Sequence, residues 1–245
     1  MQRHYPNIED KREEIISSME KNSELYGKQY RDITGYKLVL GDSQYGHKFG
    51  GHDWKLPNCD NCAGEYQQLI VLDLKEPGLN AIINSEATQL PLISCLNCSS
   101  WWEYQCFKID FLKKEISLLD AYDEFHECLP DDCKFPGVFQ ERKLQLTELT
   151  LEKKPIDEEQ YYDLIDSLGE ASICRVLGRP LFVTEYIEPV CPICSSKMNF
   201  IAQIAPTPPE NTTTLDGVDF YFGEGVLYYY YCDECKTMQV FTQQT

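Results

Sequence analysis

Three observations predict an α+β protein, predominantly antiparallel β, built from two pseudo-repeated β-rich halves with a helical N-terminal arm. First, four Cys-x-x-Cys pairs punctuate the chain at Cys59/Cys62, Cys95/Cys98, Cys191/Cys194 and Cys232/Cys235. Second, short runs rich in Val, Ile, Tyr and Phe recur between these pairs, bounded by Pro, Gly and Asn. Third, the two cysteine sets repeat together with their strands, corresponding cysteines being offset by 132 residues (59 to 191) and 137 residues (95 to 232).

Taken in order, residues 1–35 read as a helical arm. Pro6 suits an early helix position, Glu9 and Asp10 complement the positive end of the helix dipole, and Ile8, Ile15 and Met19 share a face. Residues 36–125 form the first zinc-bearing half, with strands expected at Tyr36–Leu40, Tyr66–Leu74, Leu79–Asn84, Gln89–Ser94 and Trp101–Asp110. From Asp110 to Asp132 the chain carries eight Asp/Glu against two Lys. Residues 126–170 are therefore read as an acidic connector with one helix, from Pro155 to Leu168, closed by Gly169. The second zinc-bearing half, residues 171–245, has strands expected at Leu181–Ile187, Met198–Ile204, Val218–Phe222, Val226–Tyr231 and Thr237–Thr242. A Pro/Thr-rich loop is expected between Ala205 and Thr214.

The repeat extends past the cysteines. Pro57-Asn-Cys-Asp-Asn-Cys62 leads into a strand, a loop and a second strand that enters Cys95-Leu-Asn-Cys98. Pro189-Val-Cys-Pro-Ile-Cys194 does the same before Val226-Leu-Tyr-Tyr-Tyr-Tyr231 and Cys232-Asp-Glu-Cys235. The lead-ins also match, Phe49-Gly-Gly-His-Asp-Trp54 against Leu177-Gly-Arg-Pro-Leu-Phe182. Gaps of 32 and 37 residues inside the two sets suit a strand–loop–strand excursion that returns beside its start. Each set then offers four thiolates to one tetrahedral ion, so two structural zinc ions are expected. Loss of Cys191 or Cys232 is expected to cost most of the second half's stability.

Three other readings of the cysteines stand beside this one. The spacing also fits rubredoxin-like iron and hence electron transfer. Cys191-Pro-Ile-Cys194 resembles a thiol redox motif, but strand texture follows it, where such motifs precede a helix. The cysteines could also be packing residues only, though eight in matched places argue otherwise.

The chain has 245 residues, ordinary hydrophobic content at 42%, and a formal net charge of −18. Nucleic acid is held mainly through phosphates by Lys and Arg, so this balance argues against it and suits a basic protein partner or plain solubility. No stretch approaches the roughly 20 apolar residues of a membrane helix, and Met1 to Asp10 lacks the apolar core of a secretory signal. A cytoplasmic protein with reduced cysteines is expected.

No Gly-rich phosphate loop, nucleophile elbow or His-Glu-x-x-His is present. The four histidines are His4, His47, His52 and His126. A weak candidate ligand cleft between the halves would use His47, His52, Trp54 and Arg179; a lone loop histidine is more often a hydrogen-bonding residue. Cys106, Cys128, Cys133 and Cys174 are left over, and His126 with Cys128 and Cys133 could form a third metal site, though incidental thiols are the simpler reading.

These motifs resemble those of the YwqG-like family and of the wider group joining it to programmed cell death protein 2 and its yeast ribosome-assembly relative. Pro189-Val-Cys-Pro-Ile-Cys194 with Met198-Asn-Phe-Ile-Ala-Gln-Ile204 is similar to their Pro-x-Cys-Pro-x-Cys and Met-x-Phe run. Phe222-Gly-Glu-Gly-Val-Leu-Tyr228 is similar to the strand that enters their second cysteine turn. Lys48-Phe-Gly-Gly51 with Trp54 resembles their glycine turn, lacking its proline and one residue of spacing. The resemblance implies a duplicated β-rich fold, zinc ligands at the eight paired cysteines, and protein binding in a chaperone-like or immunity role. No catalytic residue follows from it. The function expected is a zinc-stabilised intracellular interaction module; the alternative is an enzyme or small-ligand binder using the cleft.

Overall fold

The computed structural model describes residues 33–80, 87–98, 102–123, 127–149, 174–178, 180, 182, 187–206 and 225–244. The expected arm before residue 33, the helix from Pro155 to Leu168, the strand from Val218 to Phe222, most of Leu181–Ile187, and Arg179 and His126 lie outside them. The described residues form eleven strands: β1 (Tyr36–Leu40), β2 (Lys48–Phe49), β3 (Gln67–Asp73), β4 (Gln89–Ser94), β5 (Trp102–Asp110), β6 (Glu115–Asp123), β7 (Arg142–Glu148), β8 (Arg175–Val176), β9 (Asn199–Ile204), β10 (Gly225–Cys232) and β11 (Thr237–Gln244). They form one sheet in the order β4-β3-β2-β7-β1-β8-β9-β10-β11-β5-β6, with every strand pair antiparallel. No helix among the described residues is long and apolar enough to cross a membrane.

The strand order is palindromic. Matching β1–β5 to β7–β11, the run β4-β3-β2-β7 mirrors the run β10-β9-β8-β1 about the contact between β7 and β1. The first strand of each half is exchanged: β1 pairs with β8, and β7 pairs with β2. The exchange is sealed by the β1–β7 ladder from Tyr36↔Glu148 to Leu40↔Leu144. The palindrome breaks at its ends, where β5 pairs with β11 instead of β4, and β6 has no counterpart.

Local structure departs from two of the sequence expectations. The strand expected at Leu79–Asn84 is, where described, a single helical turn, α1 (Pro77–Asn80). Proline fits an early helical position and cannot donate to a ladder, so Pro77 favours the turn. The matching of the lead-ins is one residue out. Gly50 and Gly51 have φ of 66° and 84°, and their counterparts are Leu177 and Gly178, at 57° and 66°. Gly50 N donates to Leu69 O in β3, as Leu177 N donates to Ile201 O in β9. A Cβ on Gly50 would lie 2.8 Å from the carbonyl oxygens of Phe139 and Gln140, so glycine is required there. The stretch read as connector also supplies β7, and the acidic stretch before it supplies β6.

Strands covered on both faces read as continuous apolar runs, and β3 and β10 are buried along their whole length. The period of two divides the tyrosines of β10 between two cores. Tyr229 and Tyr231 enter the main cluster with Leu38, Phe49, Ile70 and Leu92. Tyr228 and Tyr230 enter a second cluster with Met198 and Phe200, where Tyr228 stacks on Phe182 at 5.0 Å and Tyr230 meets Phe200 edge-on at 5.7 Å. Burying each such ring contributes about 1.5–3 kcal/mol.

His47 pins β2 to the turn after β3. Its Nδ1 accepts from the Asp73 amide at 2.9 Å, so the neutral ring carries its proton on Nε2, 2.5 Å from Glu76 Oε2. Asp73 in turn accepts from Gly46 N and Lys75 N. His47→Ala strands a buried amide and should lower stability by about 1–3 kcal/mol, read as a shifted denaturant midpoint with metal content unchanged.

Candidate metal centres

Antiparallel pairing brings the cysteine turns together. Gln67 at the start of β3 faces Ser94 at the end of β4, so the turn before β3 (Cys59, Cys62) meets the turn after β4 (Cys95, Cys98). Asn199 of β9 likewise faces Tyr231 of β10, which joins Cys191 and Cys194 to Cys232 and Cys235. The two leading turns share one hydrogen-bond plan. Cys59 N donates to Gly64 O and Ala63 N to Cys59 O, as Cys191 N does to Ser196 O and Ser195 N to Cys191 O. Ala63 and Ser195 both adopt left-handed backbone, at φ 57° and 59°. The bridges Asn58↔Glu65 and Val190↔Lys197 close the two turns identically.

Within each group all four sulfurs lie within 4.8 Å of one another. A tetrahedral ion with Zn–S near 2.3 Å requires sulfur–sulfur edges of about 3.8 Å. Three of the edges are 3.9 Å (Cys59–Cys98), 3.5 Å (Cys62–Cys95) and 3.7 Å (Cys194–Cys232). None of the twelve cysteines, all among the described residues, forms a disulfide. The sulfurs therefore sit at coordination distance from a common centre, and the donor set fits zinc, which would be held by Cys59, Cys62, Cys95 and Cys98 in one cage and by Cys191, Cys194, Cys232 and Cys235 in the other. An all-sulfur shell leaves no position for reactive water, so the chemistry supplied is cross-linking of two turns.

The electrostatics agree. Hydrogen bonding with Cys95 and Cys98 holds Cys59 down to about 2, and the same contacts, together with burial, push Cys95 and Cys98 well above the ordinary thiol range. Cys194 is lowered to about 6, first by the side chain and backbone of Ser196, while burial raises Cys232 and lifts Cys235 to about 12. A cation at the centre of each group would favour the thiolate form of all four ligands.

Several supporting residues escaped the sequence reading. Asn61 Nδ2 lies 3.5 Å from Cys98 Sγ and donates to Glu127 O. Buried Gln67 accepts from Leu96 N, and buried Gln105 accepts from Cys95 N at 3.3 Å. Gln105 lies on β5, and Lys108 of the same strand donates to Cys235 O, so β5 touches a cysteine turn of each cage. A buried glutamine in an apolar strand is the signal that could have found them, since it must have a partner.

The four weak cleft candidates engage separate partners where they are described. His47 is the buried pin above, and Trp54 is 2% exposed, edge-on to Phe111 at 5.9 Å with Lys114 Nζ 6.0 Å from its ring centre. His52 is a half-exposed residue 3.9 Å from Glu65. Arg179 lies outside the described residues. Among the spare thiols, Cys106 is buried and lifted to about 12 by burial, and Cys174 reaches Ala205 O at 3.6 Å. Cys128 and Cys133 are exposed. No protein-family model, curated protein or solved structure matches this chain.

Proposed function

We propose that the chain is an intracellular protein-interaction module, held in shape by two structural zinc ions, that binds a basic protein partner in a chaperone-like or immunity role. The closed, all-sulfur character of both cages carries the reading: it spends the cysteines on the fold and leaves no open coordination position. The net charge of −18 supports a basic partner over nucleic acid or an acidic one. The resemblance of the cysteine-turn motifs to those of the YwqG-like group supports the same reading.

Elemental analysis of the purified protein should find about two zinc ions per chain and no visible absorbance. A coloured, iron-bearing protein would instead be an electron carrier. Affinity purification should capture a basic protein whose retention weakens as salt rises; acidic partners, or salt-insensitive binding, would sink the reading.

A further inference from the structure

The end of the sheet at β6 has an unusual boundary. Lys55 forms the first rung of a parallel ladder on its outer edge: Lys55 N donates to Lys114 O, and Ile116 N donates to Lys55 O. Continuing that ladder requires an N–H from residue 57 for Ile116 O. Residue 57 is proline, which has none, and the chain turns away there into the first cysteine turn. Strand alternation turns Ile116 C=O and the Leu118 N–H and C=O outward, away from β5 and to the side on which Ile116 N reaches Lys55 O.

The space so opened is a groove of about 580 Å³ between β6 (Leu118 to Ala121) and the first cysteine turn (Pro57, Asn58, Asp60, Asn61). Four residues of edge span about 13 Å at the rise of an extended chain. A bulge opposite Cys106 and Phe107 takes Leu119 out of the ladder, and its side chain is 45% exposed at the groove. The walls carry Asp60 and Asp120 and neither Lys nor Arg. Asp120 is fixed by accepting from Tyr104 OH at 2.8 Å and from Ala121 N.

We infer that this groove receives an extended basic segment of a protein partner, added to β6 as a further strand, with its cations facing Asp60 and Asp120. The inference rests on the interaction-module reading and names where the partner sits. Backbone pairing would supply affinity and the two carboxylates would select charge. A second copy of this chain fits poorly, because β6 against β6 would set its own acids face to face on a protein of charge −18.

The test uses the zinc-loaded full chain and a capped peptide of alternating lysine and valine. Fluorescence anisotropy should show salt-sensitive binding, and hydrogen exchange should slow at Leu118 on peptide addition. Methylating alternate peptide nitrogens, which removes strand hydrogen bonds but keeps charge and side chains, should weaken binding about tenfold or more. Asp120→Asn, which leaves the cysteine turn untouched and can still accept from Tyr104 OH, should weaken it and reduce its salt dependence while zinc content stays unchanged. Should the peptide bind with protection elsewhere, or the methylated peptide bind equally well, the groove assignment is overturned while the basic-partner reading stands. Dimerisation through β6 that excludes the peptide also overturns it. If no basic peptide binds anywhere, both fall.

Discussion

Cys232→Ser is expected to leave about one zinc ion per chain and to destabilise both halves together. Structural zinc contributes about 10–16 kcal/mol of binding free energy to folding, against a net stability of about 5–15 kcal/mol for a typical protein, so losing one thiolate removes much of the margin. The damage does not stop at the second half. Cys232 ends β10, β10 pairs with β11, and β11 is the strand that holds β5. Gln105 on β5 then supports the Cys95 amide in the other cage. Thermal unfolding followed by far-ultraviolet dichroism, alongside zinc release to a coloured chelator, should give one transition at lower temperature. Two separated transitions, with the Cys59 cage releasing metal at its original temperature, would show the halves to be independent.

The next largest effect is expected for Leu38→Ala. Leu38 is fully buried at the middle of β1, opposite Leu146 of β7, and its amide also donates to Cys174 O on the side of β8. Truncation leaves a cavity costing about 2–5 kcal/mol, or about 2–4 °C of melting temperature per kcal/mol at this chain length. Because β1 stands where the halves are exchanged, both cages should lose metal at the same, lower denaturant concentration. Release from only one cage at a reduced midpoint would argue that β1 belongs energetically to one half.

Much of this was legible in the residues. All eight paired cysteines fall into the two groups that their spacing implies, because a Cys-x-x-Cys turn is a local device and an antiparallel hairpin returns its ends to one place. The apolar strands β3, β4, β9 and β10 announced themselves by composition. β6 and β7 did not: Glu-Ile-Ser-Leu-Leu-Asp-Ala-Tyr-Asp reads as part of an acidic stretch and Arg-Lys-Leu-Gln-Leu-Thr-Glu as connector, although each has the alternation of a half-exposed strand. Strand partners were illegible for a different reason. Periodicity says which residues extend and which face is buried, and nothing local to Tyr36 says that it pairs with Val176 as well as Glu148. The duplicated pattern suggested self-contained halves, whereas the ladders run across them.

That exchange also bears on the order in which the protein can be made. During synthesis β1 emerges early, yet both of its neighbours, β7 and β8, lie far along the chain. All four ligands of the first cage lie within residues 59–98, so it can capture metal while the ribosome is still working, before Gln105 arrives to support Cys95. β1 stays unpaired until β7 appears and keeps one edge open until β8 does, and β5, paired early with β6, keeps its other edge open longer still, until β11. Non-local pairing of this kind slows folding and leaves strand edges exposed in the interval. A nascent chain stalled before residue 175 should therefore already hold one metal ion and still be prone to aggregate.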